Sequence, residues 1–233
     1  MSSSGEIEID VAEICSQLRL SRPVEGWEFI KRTLTSQLGE GKDSFRDRIR
    51  FLDSVMYADR PYEHSKELAE QGVQSFRVLQ GDIIVSGLAE TPLPLEKYGN
   101  AERAGYVVLT RSCLVQEKRF EQVFLARLYP VMEGDKLGAG IIAQTITRLN
   151  SFKFLYLPPI DSFQGENCFG NIVLMSEISL IANQSLQAAT RVASLSEFGW
   201  HFLNFFLGAT YTNSSEDDLK IRLDNNCKNV TLQ

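Results

Sequence analysis

Apolar residues recur at helical spacing in the first third of the chain. Between residues 6 and 20 they fall at offsets of 0, 4, 7 and 11, which places them on one face of a helix. The same spacing returns in residues 24–38 and 45–56, and residues 62–73 fit one more short helix. The pattern therefore predicts an N-terminal amphipathic helical segment, residues 1–74, whose helices each need a partner to cover an apolar stripe.

After this segment the periodicity changes to short runs typical of strands. Residues 76–85 fit one bent strand or two short ones, and residues 86–104 form a polar loop with two prolines. The strongly apolar run 119–132 suits a central strand that Pro130 ends or pushes to an edge of the sheet, because proline lacks the N–H that a sheet ladder needs. Further β-patterned runs lie at residues 105–110, 152–157, 172–175 and 177–181.

The remaining segments are less regular. Residues 133–149 carry three glycines and an apolar run that fits either a helix or a strand, and both alternatives stay open. A helix begins at Ser194 or Ser196, and its apolar face is too wide for an exposed helix, so we expect it to pack on the sheet. From residue 213 the sequence turns polar and acidic, and residues 213–233 are interpreted as a loosely held tail.

Five segments follow one another in a distinctive order along the second part of the chain. They are Gly81-Asp82-Ile83 at a strand start, the apolar strand Tyr106–Thr110, the proline-containing Ala126–Val131, the run Gly170–Ile178, and a helix over Ser194–Gly208. This order resembles the MazF/PemK family, small SH3-like β-barrels that cut RNA in bacterial toxin–antitoxin systems. The resemblance implies an α+β protein in which the helical segment precedes an SH3-like β-barrel domain, residues 75–212, closed by a C-terminal helix.

The chain departs from that family at its catalytic positions. The family's catalytic arginine stands immediately before a proline at the second strand, whereas this chain has Ala104 and Gly105 there, with Arg103 one residue away. The family's Ser or Thr after the third strand falls on Leu128 or Tyr129. Because RNA cleavage needs a base near the 2′-hydroxyl and a cation beside the scissile phosphate, the resemblance does not carry the activity with it.

A second resemblance centres on residues 107–116, VVLTRSCLVQ. This segment is similar to a VLTQSCDL signature of uncharacterised bacterial proteins found near defence genes. Arg111 and Leu114 stand where that signature has Gln and Asp, so the acidic residue next to Cys113 is missing. The resemblance implies a bacterial protein associated with defence.

Composition and charge narrow the classes of function. Of the 233 residues, 43% are hydrophobic and 23% charged, as is ordinary for a globular protein. The net charge of −6 argues against a broad electrostatic grip on nucleic acid. Residues 76–212 carry 11 Lys and Arg against 12 Asp and Glu, which allows a local basic groove. The chain shows neither a secretory signal nor an apolar run long enough to span a bilayer, which predicts a cytoplasmic protein without membrane contact.

Cysteine and histidine usage suggests neither a metal nor a disulfide framework. The four cysteines are widely spaced, without a CxxC pair, and no cofactor is expected. Cys113 is a candidate nucleophile because the cation of Arg111 could activate its thiolate, but that chemistry also needs a base, and ordinary packing is the alternative. His201, between Trp200 and Phe202, is expected to be partly buried and bonded to a backbone carbonyl.

Polar candidates for a nucleic-acid site flank the strand that begins near residue 105. Arg103, Arg111 and Arg119 are placed to meet a phosphate at the mouth of a barrel, and Tyr98 or Tyr106 to stack a base. The alternative is a solvated rim with no ligand.

Two hypotheses of function follow. The first is a non-catalytic interaction or regulatory component of a bacterial multi-protein system, in antiphage defence or related to toxin–antitoxin systems, acting with a protein partner or as a homo-oligomer. Its basis is the lack of a coherent catalytic set beside several amphipathic helices. The alternative is a divergent endoribonuclease toxin that cleaves single-stranded RNA, with Arg103, Thr110 and Arg111 at its site.

Overall fold

A computed structural model describes residues 9–39, 44–59, 78–85, 105–115, 121–149 and 153–212 of the chain. These residues combine helices with one antiparallel sheet, so the predicted mixed α and β class is confirmed.

Seven α-helices lie in these residues: α1 (Val11–Leu18), α2 (Pro23–Leu38), α3 (Phe45–Val55), α4 (Ser112–Val115), α5 (Lys136–Arg148), α6 (Asp161–Gln164) and α7 (Glu197–Thr212). Local chemistry fixes their starts. The Asp10 carboxylate accepts a hydrogen bond from the Glu13 N–H at 2.9 Å at the start of α1. Pro23 opens α2 at the first turn, where its missing N–H costs nothing. None of the helices in the described part of the chain is long and apolar enough to cross a membrane.

Six strands form a single sheet: β1 (Asp82–Val85), β2 (Gly105–Val108), β3 (Gln122–Met132), β4 (Phe154–Leu157), β5 (Cys168–Ala182) and β6 (Thr190–Ser194). Their order is β4-β5-β3-β2-β1-β6, and every neighbouring pair is antiparallel. The first and last of the described strands, β1 and β6, lie side by side, so the chain returns to the side of the sheet that contains β1 before α7 begins.

The described sheet is open, which differs from the predicted SH3-like barrel. Its edges are β4 and β6, and within the described residues these two strands do not pair with each other. The physical reason is the layer of helices. Because α1, α2, α5 and α7 share one apolar core with a face of the sheet, most of that face is buried without the sheet curling onto itself.

Strand β3 continues through Pro130 to Met132, so the prediction that Pro130 ends this strand is wrong. Strand β2 begins at Gly105, opposite Leu128, and β3 beyond that point pairs only with β5 in the described residues. Within the described residues Pro130 therefore has no partner strand on its β2 side, and a missing N–H is tolerated at such a position.

The structure also shows the secondary structure of the segments for which the sequence left alternatives open. Residues 133–149 contain the helix α5 (Lys136–Arg148). The Asp135 carboxylate caps the start of this helix by accepting a hydrogen bond from the Gly138 N–H at 2.9 Å. The two runs between 172 and 181 belong to the single long strand β5. A 3₁₀-helix (Asn183–Ala188) joins β5 to β6. Three predicted segments lie outside the described residues: the helix at 62–73, the loop at 86–104 and the tail at 213–233.

Both faces of the sheet carry buried side chains. Successive residues of β2 point to opposite sides, so Val107 joins the large core under the helices and Val108 joins a smaller cluster behind the sheet. The large core contains side chains from α1, α2 and α3 together with strand residues. The N-terminal helices and the sheet therefore depend on the same apolar core.

Helix α7 packs closely on α2. The Trp27 ring meets the rings of Phe202 and Phe206 edge-on, with centroid separations of 5.2 and 5.5 Å. Close approach requires a small residue, since a Cβ on Gly208 would lie 2.2 Å from the Cβ of Pro23. This contact fixes the N-terminal helices against α7 and thereby sets the geometry of the groove described below.

A buried arginine ties three helices together. Arg48, on α3, is 2% exposed, and its Nη1 donates to the carbonyls of Ile146 and Thr147 at 3.0 and 3.1 Å. Its Nη2 donates to the Gly39 carbonyl, which ends α2, and to Thr35 Oγ1 at 3.3 Å. A cation at two helix C-termini satisfies carbonyls that have no partner within their own helices.

The Gly81-Asp82 pair of the family-like motif has a structural role. Gly81 adopts φ = 88°, a left-handed conformation that favours glycine. The buried Asp82 carboxylate accepts from the Leu79 N–H at 2.8 Å and from Ser194 Oγ at 2.7 Å, and it lies 3.2 Å from Arg191 Nε. These contacts join β1 to β6 and account for the acidic residue without any catalytic role.

Candidate functional site

A groove of about 1250 Å³ lies between α7, the turn that joins α1 to α2, and the helix-side face of the sheet. One wall is α7, and the opposite wall is formed by side chains between residues 18 and 23. The floor comes from β3 and β5. One end is polar and is formed by Gln80, Arg111 and Ser112 together with Leu109.

The floor is an apolar cross-strand pair. Phe124 on β3 lies directly opposite Leu180 on β5, and Ile178 is two residues before Leu180 on the same face. Phe124 is 41% exposed and Leu180 is 49% exposed, although their strand neighbours Val123 and Ile181 are buried behind the sheet. The floor therefore presents apolar side chains that the helices leave uncovered.

The wall formed by α7 follows from its helical spacing. Trp200, Asn204 and Leu207 are separated by four and three residues, so they share one side of the helix and line the groove. The other side of α7 carries the buried rings of Phe198, Phe202 and Phe206. Trp200 is 40% exposed and adds an aromatic surface beside the floor.

Gln80 organises the polar end of the groove. Its Nε2 donates to the Leu109 carbonyl at 2.8 Å, its Oε1 accepts from Trp200 Nε1–H at 3.2 Å, and its N–H donates to Ser112 Oγ at 2.9 Å. These bonds hold the Trp200 indole in place. They also occupy the polar atoms at this end, apart from the exposed guanidinium of Arg111.

An ion pair joins the wall formed by residues 18–23 to the start of α7. Arg19 Nε and Nη2 donate to the two Glu197 carboxylate oxygens at 2.6 and 2.9 Å, and this bidentate contact lowers the pKa of Glu197. His201 Nε2 lies 3.7 Å from Glu197 Oε1, and the imidazole stacks on the Phe205 ring at 5.6 Å between centroids. Burial lowers the pKa of His201, and the Glu197 carboxylate opposes that shift. The imidazole is therefore neutral at pH 7.

The histidine prediction is confirmed in part. His201 is 5% exposed, so its burial is as expected. The group that faces Nε2 is the Glu197 carboxylate rather than a backbone carbonyl, because the two residues are four positions apart and so share a side of α7.

The described residues of the groove show neither a nucleophile–base pair nor a cluster of metal ligands. In the part of the chain that the structure describes, no hydrogen bond joins His201 to a hydroxyl or a thiol, so no nucleophile–base pair is assembled. The described residues also contain no group of three His, Cys, Asp or Glu side chains that could hold a metal ion. What the groove offers is apolar area with two exposed arginines, of which Arg19 is paired with Glu197 and Arg111 is not.

The predicted site residues do not all meet here. Arg111 is exposed and lines the groove. Thr110 is 5% exposed, and its Oγ1 accepts a hydrogen bond from the Phe124 N–H at 2.7 Å. The Thr110 hydroxyl is therefore bonded to the backbone of β3. Tyr106 packs against the cluster behind the sheet, with Arg127 Cζ 6.0 Å from its ring centroid. Cys113 lies in α4, but its side chain is outside the description. The other candidates, Arg103, Tyr98 and Arg119, lie outside the described residues.

Sequence reasoning missed the residues that shape the groove. Phe124 and Leu180 belong to apolar runs whose other members are buried, and nothing in either run distinguishes the exposed residues. For α7 a signal was present. Asn204 interrupts an otherwise apolar helix four residues after Trp200, which indicates that this side of the helix faces water.

Comparisons with protein-family models, with characterised proteins and with solved structures find no match to this chain.

Proposed function

We propose that this protein is a non-catalytic binding protein whose groove holds an apolar segment of a partner protein. The observation that carries the proposal is the exposure of three large apolar side chains in one concave surface. Phe124, Leu180 and Trp200 are each between 40% and 49% exposed. Clustered apolar exposure of this kind marks interaction surfaces, whereas single exposed apolar residues are common and need no explanation.

The size of the groove favours a macromolecular ligand. Its volume of about 1250 Å³ exceeds the roughly 300–1,000 Å³ of pockets that enclose small molecules.

The charges of the groove favour a protein over RNA. Its described lining contains two arginines, Arg19 and Arg111, and neither Asp nor Glu. Arg19 is already bonded to Glu197 through two hydrogen bonds. A nucleic-acid groove gains its affinity from several Lys or Arg contacts to phosphates. Arg111 is the one lining arginine outside this ion pair, and in a chain of net charge −6 it supplies little of that attraction.

The endoribonuclease alternative has weaker support. Arg111 lines the groove, the Thr110 hydroxyl is bonded to the backbone of β3, and the third candidate, Arg103, lies outside the described residues. The assignment to a bacterial defence or toxin–antitoxin system rests on the sequence resemblance and stays part of the proposal.

The proposal is tested with a displayed library of random 16-residue peptides selected on the purified protein. Peptides that are enriched should bind the Leu180→Asp variant at least tenfold more weakly, because the substitution places a carboxylate on the apolar floor. The matched control is Leu137→Asp on α5, since Leu137 is 68% exposed and lies outside the groove. Affinity for this control should be unchanged, and circular dichroism verifies that both variants are folded.

The proposal is overturned if no peptide is enriched. It is equally overturned if the enriched peptides bind wild type and Leu180→Asp alike, or if Leu137→Asp weakens binding as much as Leu180→Asp does.

A further inference from the structure

We infer that the partner segment is an amphipathic α-helix that places an acidic side chain against Arg111. The inference rests on the proposed function, because it specifies the ligand of the same groove. It is argued from the hydrogen-bonding capacity of the groove and from the position of its exposed charge.

The backbone of the floor has little to offer an extended peptide. The Phe124 N–H donates to Thr110 Oγ1 at 2.7 Å, and the Phe124 carbonyl accepts from the Leu109 N–H at 2.9 Å. Strand β3 is also paired with β5 along this stretch, where Phe124 faces Leu180. A peptide over the floor therefore meets side chains rather than a free strand edge, and its own N–H and C=O groups find no ladder there.

The polar side chains of the groove are similarly occupied. Both ends of the Gln80 amide are bonded, to the Leu109 carbonyl and to the Trp200 indole, and Asn204 Nδ2 donates to the Trp200 carbonyl at 2.8 Å. A segment that lies in such a groove must satisfy its own backbone. An α-helix does so internally and presents apolar residues at i, i+3, i+4 and i+7 to the floor and walls.

Arg111 supplies the one charge that this helix would meet at the polar end. The residue is exposed, and in the described chain no recorded hydrogen bond or ion pair engages its guanidinium. The described lining carries no carboxylate that could serve as its counter-ion. A planar guanidinium beside apolar surface binds a carboxylate in a bidentate manner, so an Asp or Glu on the edge of the apolar face gains an ion pair there.

The magnitude of this pair is modest. An ion pair at the rim of an interface contributes on the order of a fivefold change in affinity, whereas loss of the apolar floor is expected to cost tenfold or more. The floor and Trp200 therefore supply most of the affinity for a helix, and Arg111 makes acidic helices bind more tightly than others.

The test uses the peptides enriched on the wild-type protein, resynthesised singly. Their sequences should show apolar residues at helical spacing with at least one Asp or Glu, and their circular dichroism should become helical on binding. Replacing that acid by Lys should weaken binding to wild type on the order of fivefold. The same Lys peptide should bind Arg111→Glu more tightly than the acidic peptide does. This charge exchange is a readout that a merely structural role of Arg111 would not produce.

Failure of the inference is distinguishable from failure of the proposed function. Peptides that depend on Leu180 but alternate in polarity, tolerate a central proline or show no preference for an acid would overturn the helix and leave the binding role intact. Absence of any Leu180-dependent peptide overturns both. Two further outcomes also contradict the inference. One is a dimer of this chain that Leu180→Asp dissociates in sedimentation, and the other is single-stranded RNA binding that Arg111→Glu abolishes.

Discussion

Gly199, in the first turn of α7, is expected to resist replacement by alanine, although alanine is the better helix former. A Cβ built on Gly199 would lie 2.1 Å from the carbonyl oxygen of Met56, whereas ordinary contacts begin at 3.4 Å. That oxygen also accepts the Ser196 N–H at 2.9 Å, and the next residues are held by the Ala58 N–H, which donates to the Ser194 carbonyl at 2.9 Å. The clash therefore pushes against anchored backbone rather than against a side chain that can turn away.

The sizes of the two opposing effects decide the sign. Alanine gains up to about 1 kcal/mol over glycine from helix propensity. Relief of the clash requires a shift of about 1.3 Å, which loses two backbone hydrogen bonds worth about 1 kcal/mol each and adds about 1–3 kcal/mol of overpacking strain. The free energy of unfolding of Gly199→Ala should therefore fall by about 2–4 kcal/mol.

Urea unfolding followed by circular dichroism measures this difference. The matched control is Gly140→Ala in the interior of α5, because Gly140 is exposed and a Cβ there would meet nothing within 4 Å. The control should gain about 0.5–1 kcal/mol. The steric reasoning is refuted if Gly199→Ala is as stable as wild type, or if both variants change stability in the same direction.

Three further predictions concern stability, pH and RNA. Arg48→Leu should lower the free energy of unfolding by about 3–5 kcal/mol because it removes the cation at two helix C-termini. The control is Arg50→Leu on the same helix, which should change this free energy by less than about 0.5 kcal/mol because the Arg50 side chain is 80% exposed. Equal losses of the two variants in urea unfolding would contradict the prediction. Burial lowers the pKa of His201 in the native state, so the unfolded chain binds more protons below its ordinary pKa of about 6.5. Stability should fall as the pH drops from about 7 through the native pKa, and a pH series of melting temperatures should show a smaller fall in His201→Gln, with equal falls refuting the role of this residue. Single-stranded RNA should stay intact when incubated with the protein, and cleavage that Arg111→Ala abolishes would instead support the endoribonuclease alternative.

The helices were the most predictable part of the fold. Local periodicity and caps were sufficient to predict α1 to α3. A stripe of apolar residues and a proline at position 23 can both be read from a short stretch of sequence. Residues 133–149 stayed ambiguous because their apolar run is interrupted by glycines. The cap at Asp135, which decides for a helix, depends on the backbone geometry after β3.

The architecture of the sheet was less accessible. Strand existence follows from apolar runs, but whether the sheet closes depends on what covers it. Here the aromatic face of α7 and the Trp27 ring provide that cover. The order of the strands along the chain follows from the order of the apolar runs, whereas closure is a property of contacts between distant segments. Pro130 illustrates the same limit, because its tolerance depends on where β2 begins.

The candidate site was predictable only where one residue projects from a short loop. Arg111 was identified because it follows a strand, and the structure places it on the groove. Its neighbour Thr110 has the same sequence context but points its hydroxyl to the Phe124 N–H. Which of two adjacent polar residues reaches a surface is set by the turn between β2 and α4, and this turn is fixed by the Gln80 and Ser112 hydrogen bonds from elsewhere in the chain.

The groove exists because α7 packs on α2 and leaves part of the sheet uncovered. Its core side carries Phe202 and Phe206 against Trp27, and the Gly208–Pro23 contact brings the C-terminal half of α7 close to α2. Because α7 packs on α2 with this side, its opposite side, which carries Trp200, faces away from the core. Phe124 and Leu180 have the strand positions of core residues, yet no helix in the described chain covers them. Two apolar residues in core positions that no described helix covers support the proposal that a second molecule supplies the missing layer. In the described chain helices cover the neighbouring core of the same face, so a helix suits this position.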